Sequence, residues 1–199
     1  TDGILGALYD PLDGHLDPSG TTHAYAKAAR MGGASIETHC KVEETNQRPD
    51  GTWDVVTDKG TIHAEHIVNA AGLWAREVGA MAGIYLPLHP MEHQYIVTDD
   101  IADIKAMPAE HPHVMDPAGE SYLRQEGRGL CIGFYEQPCR PWAVDGTPWD
   151  FGHELLPNDY DKIEDSIAFA YKRFPVLETA GIKSVIHGPF TFAPDGNPL

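Results

Sequence analysis

The stretch His66-Ile-Val-Asn-Ala-Ala-Gly-Leu-Trp74 carries the strongest fold signal in the chain. Ile67 and Val68 form a short apolar run that suits an interior strand, and the small residues after them leave the backbone open to a bulky ligand. Residues 73–82 then carry apolar side chains at helical spacing. A strand, a small-residue turn and a helix in this order are typical of a dinucleotide-binding α/β sheet, although a tight turn without a ligand gives the same pattern.

Short elements are predicted on the N-terminal side of this stretch. A helix is expected from Pro18 to the Gly32-Gly33 pair, with Asp17 capping its free N–H groups. Strands are predicted over residues 4–9, 34–38, 40–45, 52–56 and 61–64. Because Asp50-Gly51 and Lys59-Gly60 are turn signals, the last three strands are expected to form a β-meander.

From about Pro87 onward, apolar runs alternate with proline-rich connections. Strands are predicted over residues 93–98, 121–125, 129–135 and 182–192. A helix is predicted over residues 159–174. The residues spaced for its buried face are Ile163, Ile167, Ala168 and Tyr171. This pattern favours a mostly antiparallel sheet with long surface loops.

Composition excludes several classes of partner. The 199 residues include 30 acidic and 14 basic ones, for a formal charge of −16, whereas nucleic acids and anionic membranes need a basic surface. No apolar run is long enough to cross a membrane. Cys40, Cys131 and Cys139 lack metal spacing, which fits reduced thiols in a cytoplasm or mitochondrial matrix. The histidines beside acidic residues have no third ligand at metal spacing, so no metal site is expected.

Four segments, in order, are similar to those of one known family. They are Asp13-Gly-His-Leu-Asp-Pro18, Asn69-Ala-Ala-Gly-Leu-Trp74, His93-Gln-Tyr-Ile-Val97 and Gly188-Pro-Phe-Thr-Phe-Ala-Pro-Asp-Gly-Asn-Pro-Leu199. Together they resemble the FAD-dependent amine oxidoreductases of the D-amino-acid oxidase superfamily, in the branch that contains the dimethylglycine and sarcosine dehydrogenases. The resemblance covers nearly the whole chain.

The resemblance implies a mixed α/β (α+β) fold. A Rossmann-like FAD-binding portion with an inserted β-meander would comprise residues 1–86 and 185–199, and a mostly antiparallel substrate domain would comprise residues 87–184. The Gly-x-Gly-x-x-Gly fingerprint that seats a pyrophosphate on a helix N-terminus is absent from the sequence. The chain is therefore expected to be an internal fragment, inactive alone, of a longer enzyme.

FAD is the cofactor that the resemblance implies. The residues expected to contact it are Val42, Ala70, Ala71, Gly72, Trp74, Pro194, Asp195, Gly196, Asn197, Pro198 and Leu199. Val42 matches by position the family's valine whose backbone pairs with the adenine. The loop around Asp195-Gly196 would pass close under the flavin ring, and an ordinary turn is the alternative.

His93 and Tyr95 are the first candidates for catalysis. They lie two residues apart on a predicted strand, so their side chains face the same side of the sheet. A histidine beside a tyrosine can share a hydrogen bond and tune the protonation state of an amine. The alternative is that Tyr95 only packs in a buried face.

Tyr122 and Arg124 repeat this geometry on the next predicted strand. Arg124 could bind a substrate carboxylate through two parallel hydrogen bonds, which lysine does less well. A pair with Glu126 or Glu120 at a strand edge is the alternative. Tyr135 is a weaker candidate for the pocket wall.

The activity implied by the resemblance is the oxidative demethylation of an N-methylated glycine-type amine, such as dimethylglycine or sarcosine, in one-carbon metabolism. The electron acceptor would be an electron-transfer flavoprotein or oxygen, and tetrahydrofolate would bind to a C-terminal module that this chain lacks. The expected location is a bacterial cytoplasm or the mitochondrial matrix. Two alternatives remain: an FAD-dependent oxidase of another amino acid, and a non-catalytic ligand-binding or assembly subunit with the same fold.

Overall fold

The structure is a computed structural model that describes residues 3–152 and 154–197. The chain divides into two compact units. One is His15–Leu88 together with the residues from Ala193 on, and the other is His89–Phe192 together with the N-terminal residues up to Gly14. Helices and antiparallel sheets occur together, so the predicted mixed α/β fold class is confirmed. None of the described helices is long and apolar enough to cross a membrane.

The unit that begins at His15 contains a helix and a small antiparallel sheet. Helix α1 spans Pro18–Met31, and the Asp17 carboxylate accepts a hydrogen bond of 2.5 Å from the Gly20 amide, which confirms the predicted cap. The sheet has the order β1-β2-β3 and forms the predicted meander. Its strands are β1 (Val42–Gln47), β2 (Trp53–Thr57) and β3 (Gly60–Ala64).

Three predicted strands are wrong. Residues 4–9, 34–38 and 67–68 have no strand structure. Leu5 is fully exposed and Val68 is 88% exposed, so neither lies in a sheet interior. An interior strand needs neighbours that pair its backbone and cover both of its faces, and the three meander strands form the only sheet described in this unit.

The helix predicted after the small-residue turn is confirmed, but its first turn is a 3₁₀ turn and not an α-helical one. A 3₁₀ turn at Gly72–Trp74 leads into α2 (Ala75–Met81). The Asn69 side chain accepts a 3.2 Å hydrogen bond from the Ala71 amide and donates a 2.8 Å bond to the Ala75 carbonyl. Asn69 therefore bridges both ends of the turn and fixes its shape.

The second unit is built on a five-stranded antiparallel sheet with the order β5-β6-β7-β4-β8. Its strands are β4 (His89–Thr98), β5 (Val114–Asp116), β6 (Ser121–Glu126), β7 (Gly129–Phe134) and β8 (Ile182–Phe192). The four strands predicted for this half are therefore confirmed. Helix α3 (Ala102–Lys105) follows β4, and helix α4 (Tyr160–Arg173) confirms the long predicted helix. Single 3₁₀ turns lie at Pro117–Gly119 and Pro175–Thr179.

The core lies between α4 and one face of this sheet. Burial alternates along β4, where Gln94, Ile96 and Thr98 are buried. The apolar residues that pack on this face from α4 and the segment that follows it include Ile163, Ile167, Ala170, Phe174 and Leu177. Ala168 and Tyr171, which were predicted to be buried, are exposed. The stripe that faces the sheet follows residues 163, 167, 170 and 174, which places 168 and 171 to one side of it.

Candidate active site

The face of the five-stranded sheet opposite α4 carries the candidate side chains. His93 and Tyr95 alternate with the buried Gln94 and Ile96, so both lie on this open face, as their spacing predicts. Tyr95 pairs in register with Gly133 of β7, which in turn pairs with Tyr122 of β6. The sheet therefore brings Tyr95 and Tyr122 into one row on the same face.

Aromatic rings surround His93. We call His93, Tyr95, Tyr122, Tyr135, Phe190 and Phe192 the aromatic face. The His93 ring stacks on Tyr135 at 5.0 Å between centroids and meets Phe190 edge-on at 5.1 Å. Tyr135 in turn lies 5.9 Å from the Tyr122 ring. The electron-rich faces of such rings attract a cationic ammonium group.

Gly133 provides the space in which the Tyr122 ring lies. A Cβ atom at Gly133 would lie 2.2 Å from Cε1 and Cζ of Tyr122, so the ring crosses β7 directly above this glycine. Burial, and next the Cys131 thiol, raise the pKa of Tyr122 above its usual range. Burial also raises the pKa of Tyr95. Both phenols are therefore protonated at neutral pH and can donate hydrogen bonds.

His93 is held in its neutral form. Burial lowers the pKa of His93 to about 4, and the nearby His187 contributes in the same direction. The Glu136 carboxylate lies 3.9 Å from His93 Nδ1, within the reach of an ion pair but beyond hydrogen-bond distance. His93 is therefore unprotonated at neutral pH, and one of its two ring nitrogens is an acceptor.

Arg124 lies on β6 two residues from Tyr122, so it shares the open face. It forms the ion pair with Glu126 that was one predicted alternative, with a distance of 2.5 Å between Nη1 and Oε2. Nη1 also donates to the Gln125 carbonyl at 3.2 Å. Since both bonds use Nη1, the other donors of the guanidinium can bind a carboxylate.

The small-residue turn in the other unit fits the approach of a large ligand to the backbone. Gly72 has φ of +55°, and no atom lies within 4 Å of a Cβ added there. Ala70 is exposed and Ala71 is half-buried, while Trp74 is half-buried in the 3₁₀ turn. This open backbone is compatible with a bound flavin nucleotide, whose contacts here stay a prediction. Val42 begins β1 and pairs with Thr57, and its contact with adenine also stays a prediction.

The C-terminal loop forms the predicted turn. The Gly196 amide donates to the Ala193 carbonyl at 3.0 Å, and Gly196 has φ of +72°. The Asn197 amide donates to the Asp195 carboxylate at 3.1 Å and thereby lowers the pKa of Asp195. Flavin contacts of Pro194 to Asn197 stay a prediction. Pro198 and Leu199 lie outside the described residues.

Sequence reasoning missed four residues that contribute to this site. A glycine inside an apolar strand, Gly133, is a recognisable signal of close approach by a side chain. Phe190 and Phe192 lie two residues apart on β8, a spacing that signals a shared face. Glu136 follows β7 in a proline-rich segment and carries no local signal. Among the described residues, no group of three or more His, Cys, Asp or Glu residues could hold a metal ion.

An open turn and an aromatic face with a neutral histidine are compatible with an oxidoreductase that binds a nucleotide cofactor. Residues 1–199 match the family described as DAO, FAD dependent oxidoreductase, and the chain belongs to this family. FAD is the cofactor of the family.

Within this family, the chain is similar to two mitochondrial dehydrogenases and to one solved dehydrogenase structure. The chain is 46% identical over 201 residues to the mitochondrial dimethylglycine dehydrogenase of Mus musculus, covering 98% of this chain and 23% of that protein. It is 39% identical over 203 residues to the mitochondrial sarcosine dehydrogenase of Mus musculus, covering 100% of this chain and 21% of that protein. The chain thus spans less than a quarter of the length of both relatives. The crystal structure of L-proline dehydrogenase from P. horikoshii matches with a TM-score of 0.76 and 27% identity, over 95% of this chain and 47% of that one.

Proposed function

We propose that the protein carrying this chain is an FAD-dependent oxidoreductase that demethylates an N-methylated glycine-type amine, such as dimethylglycine or sarcosine. The observation that carries this proposal is the aromatic face, where the rings of Tyr135 and Phe190 lie 5.0 and 5.1 Å from the ring of His93. The names of the two mitochondrial relatives, at 46% and 39% identity, support this substrate class.

Each part of the substrate has a partner in this proposal. The rings of Tyr135 and Phe190 hold the cationic nitrogen, and Arg124 binds the carboxylate. His93 accepts the proton of the ammonium group, which makes the nitrogen lone pair available. Tyr95 and Tyr122 donate hydrogen bonds that orient the amine.

Bound FAD would supply the acceptor for the hydride equivalent that leaves the carbon beside the nitrogen. The residues proposed to hold it are Val42, Ala70, Ala71, Gly72, Trp74, Pro194, Asp195, Gly196 and Asn197. The open backbone at Gly72 supports this assignment, because no side chain blocks access to it.

The partners and location are part of the same proposal. An electron-transfer flavoprotein or oxygen would reoxidise the flavin, and tetrahydrofolate would receive the one-carbon unit on a further module. The mitochondrial matrix is the proposed location if the source is eukaryotic, in keeping with the two relatives, and the cytoplasm if it is bacterial.

The test is the visible spectrum of the FAD-loaded protein that carries this sequence, mixed anaerobically with dimethylglycine, sarcosine or glycine. We expect dimethylglycine or sarcosine to bleach the flavin band and glycine to leave it unchanged. In Arg124→Gln, the substrate concentration for half-maximal reduction should rise about tenfold or more, since a charge-assisted pair is lost. A flavin that neither N-methylated substrate reduces would reject the proposal.

A further inference from the structure

Glu136 is a buried carboxylate beside His93 that the proposed reaction leaves unused. Its side chain is 5% exposed, and its Oε2 atom has no hydrogen-bond partner among the described residues. That same atom lies 3.9 Å from His93 Nδ1. A buried carboxylate oxygen without a partner costs free energy, so its position next to an imidazole nitrogen calls for an explanation.

The backbone on both sides of Glu136 is fixed. The preceding Tyr135 amide donates to the Glu120 carbonyl at 2.7 Å, and the Tyr135 ring stacks on His93. Beyond Glu136, the chain returns to β4, where the Glu92 amide donates to the Arg140 carbonyl at 2.9 Å. The Cys139 thiol donates to the carbonyl of Glu136 itself at 3.3 Å. The backbone at Glu136 is therefore held by contacts of its neighbours and of its own carbonyl group.

Burial and neighbouring groups act in opposite directions on the carboxyl group of Glu136. Burial raises the pKa of Glu136, and Glu92 adds to this rise, while a hydrogen bond from its own backbone N–H, Lys162 and His187 lower it. His187 is the neighbouring group that, after burial, lowers the pKa of His93. An ionised carboxylate accepts hydrogen bonds and cannot donate them, so it selects the imidazole tautomer that carries its proton on the facing nitrogen.

We propose that Glu136 is a positioning residue for His93: its carboxylate accepts a hydrogen bond from Nδ1–H and so leaves Nε2 as the proton acceptor toward the substrate. The inference rests on the role of His93 in the proposed function. The two groups close from 3.9 Å to hydrogen-bond distance when substrate and cofactor exclude water, because catalytic hydrogen bonds are often long in an empty site. No proton leaves the pair, and Glu136 orients the base without touching the substrate.

The first test is the tautomer of His93 in the FAD-loaded protein with bound substrate analogue, measured by ¹⁵N NMR on histidine-labelled protein. The His93 signal is identified by its loss in His93→Gln. We expect the Nδ1–H form in the parent and a shift toward the Nε2–H form in Glu136→Gln. The exposed Glu178 supplies the control, because Glu178→Gln should leave the signal unchanged. A parent protein whose His93 carries its proton on Nε2 overturns the proposal, even if Glu136→Gln does not fold.

The second test is the anaerobic rate of flavin reduction. Glu136→Gln should lower the limiting rate constant about tenfold, which is less than the roughly 100-fold loss expected without the base itself. It should change the substrate dissociation constant less than twofold, and Glu136→Asp should restore most of the rate. An unchanged rate in Glu136→Gln, or equal losses in the Gln and Asp variants, would count against a positioning role.

Different results would contradict the proposed role of His93 and the proposed role of Glu136. If His93→Gln reduces the flavin at the parent rate, the proposed role of His93 as the base is wrong. The NMR measurement on the parent still decides whether Glu136 fixes the tautomer of His93, because it requires no turnover.

Discussion

Gly133 shows how one residue without a side chain shapes the whole aromatic face. It lies in β7, where all six residues are buried, and it separates Tyr95 from Tyr122 in the same row. A side chain here would occupy the volume of the Tyr122 ring. The glycine weakens the strand locally, and the tyrosine ring covers the exposed backbone in exchange, as aromatic residues do beside strand glycines elsewhere.

Gly133→Ala should displace the Tyr122 ring, because the new methyl group would lie 2.2 Å from two ring carbons. We expect a loss of about 1–3 kcal/mol in the free energy of unfolding, typical of an overpacked site. Substrate should also bind at least several-fold more weakly. Denaturant unfolding and titration of the flavin spectrum measure the two effects in the FAD-loaded protein.

Gly152 offers the matched control. A Cβ atom there has no atom within 4 Å, and Gly152 does not have a positive φ, so Gly152→Ala should leave both quantities near those of the parent. In the double variant Gly133→Ala/Tyr122→Ala the steric conflict disappears, and the cost should be smaller than the sum of the single costs. Strict additivity would show that the ring and the methyl group do not meet.

At the scale of elements, the start of α4 is tied to the strand that carries His93. The Gln94 side chain is buried and bonds both backbone groups of Asp159, accepting from its amide and donating to its carbonyl at 3.0 Å each. The Asp159 carboxylate accepts from the Lys162 amide at 3.1 Å as the helix cap and from Arg140 at 2.9 Å. The cap of α4 therefore also determines where the helix meets β4.

Asp159→Ala removes this cap and should destabilise the first turn of α4, as the loss of an N-cap side chain does. Hydrogen exchange followed by mass spectrometry should show the amides of residues 160–163 exchanging about fivefold faster. Asp159→Asn keeps a capping oxygen and should exchange much closer to the parent rate. The exposed Asp165, in the middle of α4, gives the control Asp165→Ala. Equal exchange in the two Asp159 variants would show that the cap contributes little.

The elements that the sequence predicted correctly are those with local signals. Helix α1 has the capping Asp17, and the meander has glycine turns at Gly51 and Gly60, whose φ angles are +87° and +133°. The strands expected at residues 34–38 and 67–68 failed because an interior strand depends on neighbours that no local pattern reveals. The face of α4 was misassigned for a related reason, since Ala168 and Ala170 differ in burial only through the packing of the sheet below.

The candidate site likewise has one part that the local sequence predicts and one part that it does not. The alternation along β4 is local, so the shared face of His93 and Tyr95 could be predicted from spacing alone. The approach of Glu136 to His93 depends on how the segment after β7 returns to β4, and that path is set by backbone pairing between distant parts of the chain. Sequence spacing does not predict such a contact.

At the scale of the molecule, the proposed cofactor segments and the proposed substrate residues belong to different compact units. Trp74 and the 193–197 loop belong to one unit, and Tyr95 belongs to the other. If binding of FAD and oxidation of the substrate depend on different units, single substitutions should separate the two properties. We then expect one substitution to slow the reaction without loss of flavin and a different one to weaken flavin binding.

Trp74→Ala and Tyr95→Phe test this separation in the FAD-loaded protein that carries this sequence. Trp74→Ala removes a large half-buried ring next to the open backbone at Gly72, so FAD should dissociate at least several-fold more readily during ultrafiltration. Tyr95→Phe keeps the ring and removes one donor, so FAD should stay bound while its anaerobic reduction by dimethylglycine slows about tenfold, the cost of one hydrogen bond. If Tyr95→Phe were reduced as fast as the parent, its hydroxyl would have no part in the reaction. If Trp74→Ala retained FAD fully, the small-residue turn would be structural, and the cofactor would have to depend on other segments.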